Sequence, residues 1–260
     1  MEKRSVGDVP AFQVKAILFD AGNTLLYPHP SVGSVYSRTA KKYGRHVTAS
    51  RIDTAFYRIW KKKGGLAVLG KHATPAMEKA WWRDRVMEVF ASFGGVEPFE
   101  PFFEELFELF GSHKTWRLYP GVRQTLRQLR ERGYRLGIVS NWDMRLFRIC
   151  QGLGLERSMD VIIASCGVGV SKPEKGIFQA ALKALKLRPE QALHVGDLLI
   201  EDYHGARNAG LHALWLSHGH RPPKDVVAIK NLSHLFSFLP RQGRLLPHRP
   251  AARSSRRTAR

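Results

Sequence analysis

Cysteine is scarce in this chain. Only Cys150 and Cys166 occur in 260 residues, and no CxxC or Cys/His spacing accompanies them. That excludes a disulfide framework and a zinc site built on paired ligands, and it fits a reducing compartment. Long apolar runs are missing as well: nothing approaches the roughly 18 apolar residues of a membrane span. The first ten residues carry Glu2 and Asp8 without an apolar segment. A transmembrane helix and a secretory signal are thereby excluded, and a soluble cytoplasmic protein with no membrane partner is expected. Acidic residues are the third scarcity, 22 Asp+Glu against 42 Lys+Arg, for a net charge of +20. Apolar residues are not scarce: 43% hydrophobic and 10% aromatic content excludes a disordered chain and supplies a full core.

The basic excess runs along the chain. The stretch 241–260 holds seven arginines and no acid and is expected to be a disordered tail. Within the body, Arg123, Arg127 and Arg130 recur at helical spacing opposite Val122, Leu126 and Leu129, which makes one basic helix face. No aromatic interleaving or nucleic-acid motif accompanies that face, so it reads as a solvated surface in preference to an RNA-binding stripe.

Two textures divide the sequence. Val14 to Phe19 is an apolar strand ending at Asp20, and Gly22 and Asn23 then mark a turn. Residues 28–114 show helical periodicity without strands, with apolar stripes through Ile52, Phe56 and Ile59, through Trp82, Val86 and Phe90, and through Phe102, Leu106 and Leu109. After Tyr119-Pro120-Gly121, strands and helices alternate: a helix at 121–132, a strand at 134–139, a helix at 143–152 and a strand at 161–164. A helix opened by Pro173, a strand at 192–195, a helix at 202–209 and a strand at 211–216 follow. Alternation of this kind predicts an α/β core, a Rossmann-like parallel sheet with helices on both faces, interrupted after its first strand by an α-helical cap. The expected boundaries are 11–27 and 115–240 for the core and 28–114 for the cap. The aromatic stripes serve equally to close such a cap or to form a dimer face.

In a parallel sheet, ligands sit beyond the carboxyl ends of the strands. Those ends carry Asp20 with Thr24, Ser140 with Asn141, Lys172 before Pro173, and Asp197 with Asp202. Carboxylates from two ends, a hydroxyl from a third and a lysine from the fourth make a site for Mg²⁺ and a phosphoryl group.

Ile17-Leu18-Phe19-Asp20-Ala21-Gly22-Asn23-Thr24-Leu25, Ile138-Val139-Ser140-Asn141, Lys172-Pro173 with Ile177-Phe178, and Val195-Gly196-Asp197 with Asp202 and Gly205-Ala206 resemble, in order, the four motifs of the haloacid dehalogenase-like hydrolases. The resemblance spans residues 14–240. It implies that Asp20 attacks a small phosphorylated substrate to give an aspartyl-phosphate. It implies Mg²⁺ on the carboxylates of Asp20 and Asp197 and the carbonyl of Gly22, with Asp202 supporting them. Ser140, Asn141 and Lys172 would bind the phosphoryl group, and Thr24 would orient the first loop.

One position departs from the family's phosphatases, which carry a second aspartate two residues after the nucleophile to protonate the leaving group. Here that residue is Gly22. General acid–base catalysis contributes about 10²–10⁴-fold, so alkyl ester hydrolysis is expected to be slow. Three accounts are open: a leaving group that needs no proton, a donor from elsewhere such as His29, or a protein that binds phosphate or RNA without turnover. Dehalogenases also lack the second aspartate, but they lack a counterpart of Asp197 too. Phosphonoacetaldehyde hydrolases pair a similar first motif with a cap lysine, for which Lys41, Lys42, Lys61, Lys62 and Lys63 are candidates. The similarity is greatest to the rhythmically expressed gene 2-like branch, which is also short of that aspartate.

Overall fold

The computed structural model describes residues 12–69 and 74–240. The 241–260 stretch lies outside the described residues. The chain opens with β1 (Ala16–Phe19), leaves the sheet through β2 (Leu26–Pro28), and runs through α1 (Val32–Lys42), α2 (Ala49–Lys63), α3 (Pro75–Ala91) and α4 (Phe99–Gly111). It returns along β3 (Trp116–Leu118). There follow α5 (Val122–Glu131), β4 (Arg135–Ser140), α6 (Arg145–Gly152), β5 (Val161–Ala164), α7 (Ser165–Val168), α8 (Lys175–Leu185), β6 (Ala192–Gly196), α9 (Gly205–Asn208), β7 (His212–Leu216) and β8 (Ala228–Ile229).

Six strands form one sheet in the order β5-β4-β1-β6-β7-β8, and every pairing is parallel. Side chains alternate in β1: Ile17 and Phe19 pack into one apolar cluster with α5 and α6, while Ala16 and Leu18 pack into another with α8 and α9. Both faces are therefore covered, which is why these strands read as continuous apolar runs. Helices α1–α4 form a third cluster of their own around Val35, Ile52, Phe90, Phe102 and Leu106. The result is an α/β Rossmann-like fold with a helical insert after its first strand. No helix among the described residues is long and apolar enough to cross a membrane.

Several local expectations need correction. β1 starts at Ala16, not Val14: the paired register with β4 and β6 runs from Ala16, and Lys15 adds flanking hydrogen bonds to Arg135 and Gln191. The helix expected to open at Pro173 starts at Lys175, because the Glu174 N–H closes a turn onto Ser171 O at 2.9 Å first. The helix expected at 202–209 is a π-helical segment, Leu199–His204, running into α9. β2 and β3 are an antiparallel pair that flanks the insert, and β8 extends the main sheet by a sixth strand. These three strands are two or three residues long, too short for an alternation pattern to show.

Candidate active site

The strand order reverses direction at β1, with β4 and β5 on one side and β6, β7 and β8 on the other. The crevice at such a reversal is where ligands bind in open α/β sheets. Asp20 follows β1 directly, and its N–H donates to Val195 O of β6 at 2.9 Å, which carries the ladder one residue past the strand. Ser140 ends β4, and Asp197 follows β6. Three strands thus deliver polar side chains to one place.

The Asp20 carboxylate is buried. Its Oδ1 accepts from Ser140 Oγ at 2.8 Å and from Lys172 Nζ at 2.5 Å, while Oδ2 receives no hydrogen bond among the described residues. Lys172 is 2% exposed. Its ammonium bridges Asp20 Oδ1 and Asp202 Oδ1, the latter at 2.6 Å. The Asn141 side chain fixes the lysine's backbone from both ends: Nδ2 donates to Lys172 O at 2.9 Å, and Oδ1 accepts the Lys172 N–H at 2.7 Å.

Asp202 is fully enclosed. Oδ1 also takes His194 Nε2 at 2.9 Å, and Oδ2 accepts the Leu198 N–H at 2.9 Å. This packing explains the glycine of Val195-Gly196-Asp197, since a Cβ on Gly196 would stand 2.2 Å from Asp202 Cγ. Asp197 is more open. Its Oδ1 accepts one long hydrogen bond, 3.4 Å from Thr24 Oγ1, and its backbone carbonyl is held by Trp215 Nε1 at 2.7 Å.

The charges are unequal. Burial pushes the Asp20 carboxyl above its usual range, and the Lys172 ammonium limits the rise. Burial, then the neighbouring charges of Asp20 and Asp202, push Asp197 well up. Burial acts on Asp202 as well, but Lys172 and His194 outweigh it and hold this carboxyl below the carboxylate range. Burial would lower Lys172, and its two carboxylate partners instead raise it. Carboxylate oxygens of Asp20, Asp197 and Asp202 all lie within 4.8 Å of one another. Three carboxylates facing one lysine leave uncompensated negative charge, and hard oxygen donors suit Mg²⁺. Asp20 and Asp197 present open oxygens for it. Asp202 already has three donors, which fits a supporting place.

The site opens into a cavity of about 400 Å³ beneath the insert. Phe56, Trp60 and Trp82 make a stacked wall there, with ring centroids 5.9 Å apart for each of the pairs Phe56–Trp60 and Trp60–Trp82. Trp142 lines it beside the nucleophile, packed on Trp116 at 5.0 Å. A Cβ on Gly22 would lie 3.3 Å from Trp142 Cζ3, so any side chain at this position starts in tight contact with the indole edge. His29 is exposed, packs edge-on to Tyr27, and is not among the residues that line the cavity. Of the five candidate cap lysines, Lys61 alone lines it.

The insert is fastened to the sheet by groups the sequence did not single out. Asp143 Oδ2 accepts from Trp82 Nε1 at 3.2 Å and from Arg145 Nη2 at 2.7 Å. Arg145 Nη1 donates to Phe107 O at 2.9 Å, and its guanidinium lies 3.7 Å from the centre of the Phe107 ring. Elsewhere, the basic face of α5 is engaged with the protein itself: Arg123 donates to Leu153 O, Arg127 pairs with Glu131, and Arg130 pairs with Asp160.

Comparisons with known proteins agree with this geometry. The haloacid dehalogenase-like hydrolase family matches residues 14–210. Haloacid dehalogenase-like hydrolase domain-containing protein 3 of Xenopus laevis is 33% identical over 214 residues, 81% of this chain and 87% of the relative. The rhythmically expressed gene 2 protein of Drosophila melanogaster is 32% identical, over 76% of this chain and 81% of its own. The phosphoserine phosphatase of Thermus thermophilus is 30% identical, over 80% and 91%. A crystal structure of an L-2-haloacid dehalogenase shares the fold, with a TM-score of 0.70 at 21% identity over 87% of this chain and 99% of its own. With the motifs in order, the polar shell of Asp20 assembled and the second aspartate absent, the chain belongs to the haloacid dehalogenase-like hydrolase family, in the rhythmically expressed gene 2-like branch.

Proposed function

We propose that this protein is a cytoplasmic, Mg²⁺-dependent phosphatase that transfers the phosphoryl group of a small metabolite to Asp20 and then to water. The observation that carries the reading is the asymmetry of the Asp20 carboxylate. Oδ1 is held by Ser140 and Lys172, and Oδ2 is left without a donor.

Oδ2 is the attacking atom. As its bond to phosphorus forms, the bond from phosphorus to the leaving oxygen breaks and the electron pair stays on that oxygen. Lys172 Nζ keeps one hydrogen beyond those given to Asp20 and Asp202 and is placed to donate it to the transferring group, Ser140 Oγ fixes Oδ1, and Asn141 keeps the lysine in position. Asp202 holds the lysine's other side and is itself held by His194. Bound Mg²⁺ would be held by Asp20, the Gly22 carbonyl and Asp197, with Asp202 behind them, and supplies charge neutralisation between carboxylate and phosphate. The likeness to a phosphoserine phosphatase supports phosphoester chemistry, and the carboxylate of Asp197 favours it over dehalogenation.

Phosphate release from acetyl phosphate and p-nitrophenyl phosphate, with and without Mg²⁺, tests the reading. Turnover is expected to need the metal and to fall by more than about 10³-fold in Asp20→Asn, with circular dichroism unchanged. Equal turnover in that variant would overturn the reading.

A second reading, phosphonate cleavage through an imine on Lys61, rests on that lysine's place in the cavity wall. Borohydride trapping of phosphonoacetaldehyde on wild type but not on Lys61→Arg is its test.

A further inference from the structure

Resting on the phosphatase reading, two independent features of this chain narrow what the leaving group can be. The first is the lining of the cavity that opens from Asp20. A volume of about 400 Å³ is at the small end of ligand pockets, enough for one modest group beyond the phosphate. Away from the phosphate end its wall is built largely of ring faces, with Tyr36, Tyr57, Lys61 and Glu201 among the polar residues at its margins, and several of the donors between the rings are already engaged. The Trp82 indole N–H is taken by Asp143, the Trp116 N–H by Phe110 O, and the Arg145 guanidinium by Asp143 and Phe107 O. A sugar or an amino-acid side chain placed against the Phe56–Trp60–Trp82 faces would give up hydrogen bonds to water there. An aromatic ring would lose none and would pack on the Phe56–Trp60–Trp82 wall.

The second feature is the absence of a side-chain acid at position 22, where the family's phosphatases carry their proton donor. Gly22 has no side chain, and the Trp142 ring that fills the space carries only carbon at its nearest approach. With that acid missing, the site favours a leaving oxygen that can depart as an anion. A simple alkoxide is close in basicity to hydroxide, whose parent water has a pKa of about 15.7, whereas a phenol ionises near about 10. Only the second leaves readily without a proton.

Both features select the same group. We propose that the substrate is the phosphate monoester of an aromatic hydroxyl compound, bound with its ring against the Trp60 wall and its phosphate at Asp20. Asp20 Oδ2 bonds to phosphorus, the P–O bond to the ring breaks, and an aryloxide leaves with the electron pair and takes its proton from bulk water. Water then cleaves the aspartyl-phosphate, giving inorganic phosphate and restoring the carboxylate.

The test uses the full chain with Mg²⁺ and three probes: phenyl phosphate, ethyl phosphate and inorganic phosphate. Calorimetric titration of Asp20→Asn is expected to show phenyl phosphate binding about tenfold to a hundredfold tighter than ethyl phosphate, the effect of burying one ring. Trp60→Ala is expected to remove most of that preference and to leave the affinity for inorganic phosphate where it was. With wild type, kcat/KM across substituted phenyl phosphates is expected to fall steeply as the phenol pKa rises. Equal affinity for phenyl and ethyl phosphate overturns the proposal, and so does a flat leaving-group series. A fourth arm separates the two readings. If acetyl phosphate is hydrolysed through Asp20 but phenyl phosphate has no binding advantage, the phosphatase reading stands and the aryl proposal fails. Selective binding of phenyl phosphate with no turnover of any ester overturns the phosphatase reading and keeps the ring site. Should Trp60→Ala fail to fold, Phe56→Leu removes the next ring of the same wall.

Discussion

One indole edge and one missing side chain share the same space: Trp142 Cζ3 stands 3.3 Å from the point that a Cβ on Gly22 would occupy. The loss of the second aspartate is therefore matched by its surroundings. An aspartate restored at this position needs the Trp142 ring to shift by a few tenths of an ångström, and that ring is braced by Trp116.

Restoring the acid and freeing its space should act together. Gly22→Asp alone is expected to raise ethyl phosphate turnover little. Gly22→Asp combined with Trp142→Leu is expected to recover about 10- to 100-fold, part of what a general acid contributes. Steady-state rates for both single variants and the pair form the cycle that isolates the coupling. Additive effects would show that Trp142 does not restrict the position.

The missing acid also matters after the first step. The group that protonates a leaving oxygen is the one placed to activate water next, so phosphoenzyme breakdown is expected to be the slow half. Stopped-flow mixing with p-nitrophenyl phosphate should give a burst of nitrophenolate approaching one per active site before the steady rate. Linear release from the first milliseconds would place the slow step at or before phosphoryl transfer.

Mg²⁺ should stabilise the fold through Asp197. Burial and two neighbouring carboxylates press this group toward protonation, and a divalent cation removes that cost. A ligand at a hundred times its Kd adds about 2.7 kcal/mol, or several degrees in Tm. Differential scanning calorimetry should show the rise in wild type and lose most of it in Asp197→Asn. An equal rise in both would put the ion elsewhere.

Glu78 sets a pH dependence of stability. This buried residue of α3 has an Oε2 with no partner, and burial, then the charge of Asp143, push its carboxyl up to about 7 from 4.5, with Arg145 opposing. A carboxyl raised on folding stabilises most below its unfolded value and loses that contribution as pH climbs through the folded one. Glu78→Gln is thus expected to match wild type in Tm near pH 4.5 and to exceed it by a few degrees above about pH 7. A constant difference between the two proteins across that window would exclude Glu78 as the source.

Much of the chemistry was readable in the residues. Asp20, Ser140 and Asp197 each stand at the end of a predicted strand, Lys172 and Asp202 lie in the segments that follow β5 and β6, and parallel topology gathers those ends by itself. What stayed hidden depends on partners far apart in sequence. Apolar periodicity marks Trp82 as facing inward but cannot say that its indole N–H meets Asp143, 61 residues away. Nor does it reveal that His194, in an apolar strand, closes on Asp202. The sequence marks Lys172 as a site residue but cannot show that the Asn141 side chain holds its backbone from both ends. The Gly22 departure was visible, but the indole that fills it belongs to a loop more than a hundred residues on.

The two crossings into the insert, β2 and β3, are hydrogen-bonded to each other, with Leu26 opposite Leu118 and Pro28 opposite Trp116. The segment between them leaves and re-enters the molecule at a single doorway. It behaves as a cartridge: an exchange of residues 29–115 for those of another branch would change which molecule is admitted, while the sheet that carries Asp20, Lys172 and Asp202 keeps its register.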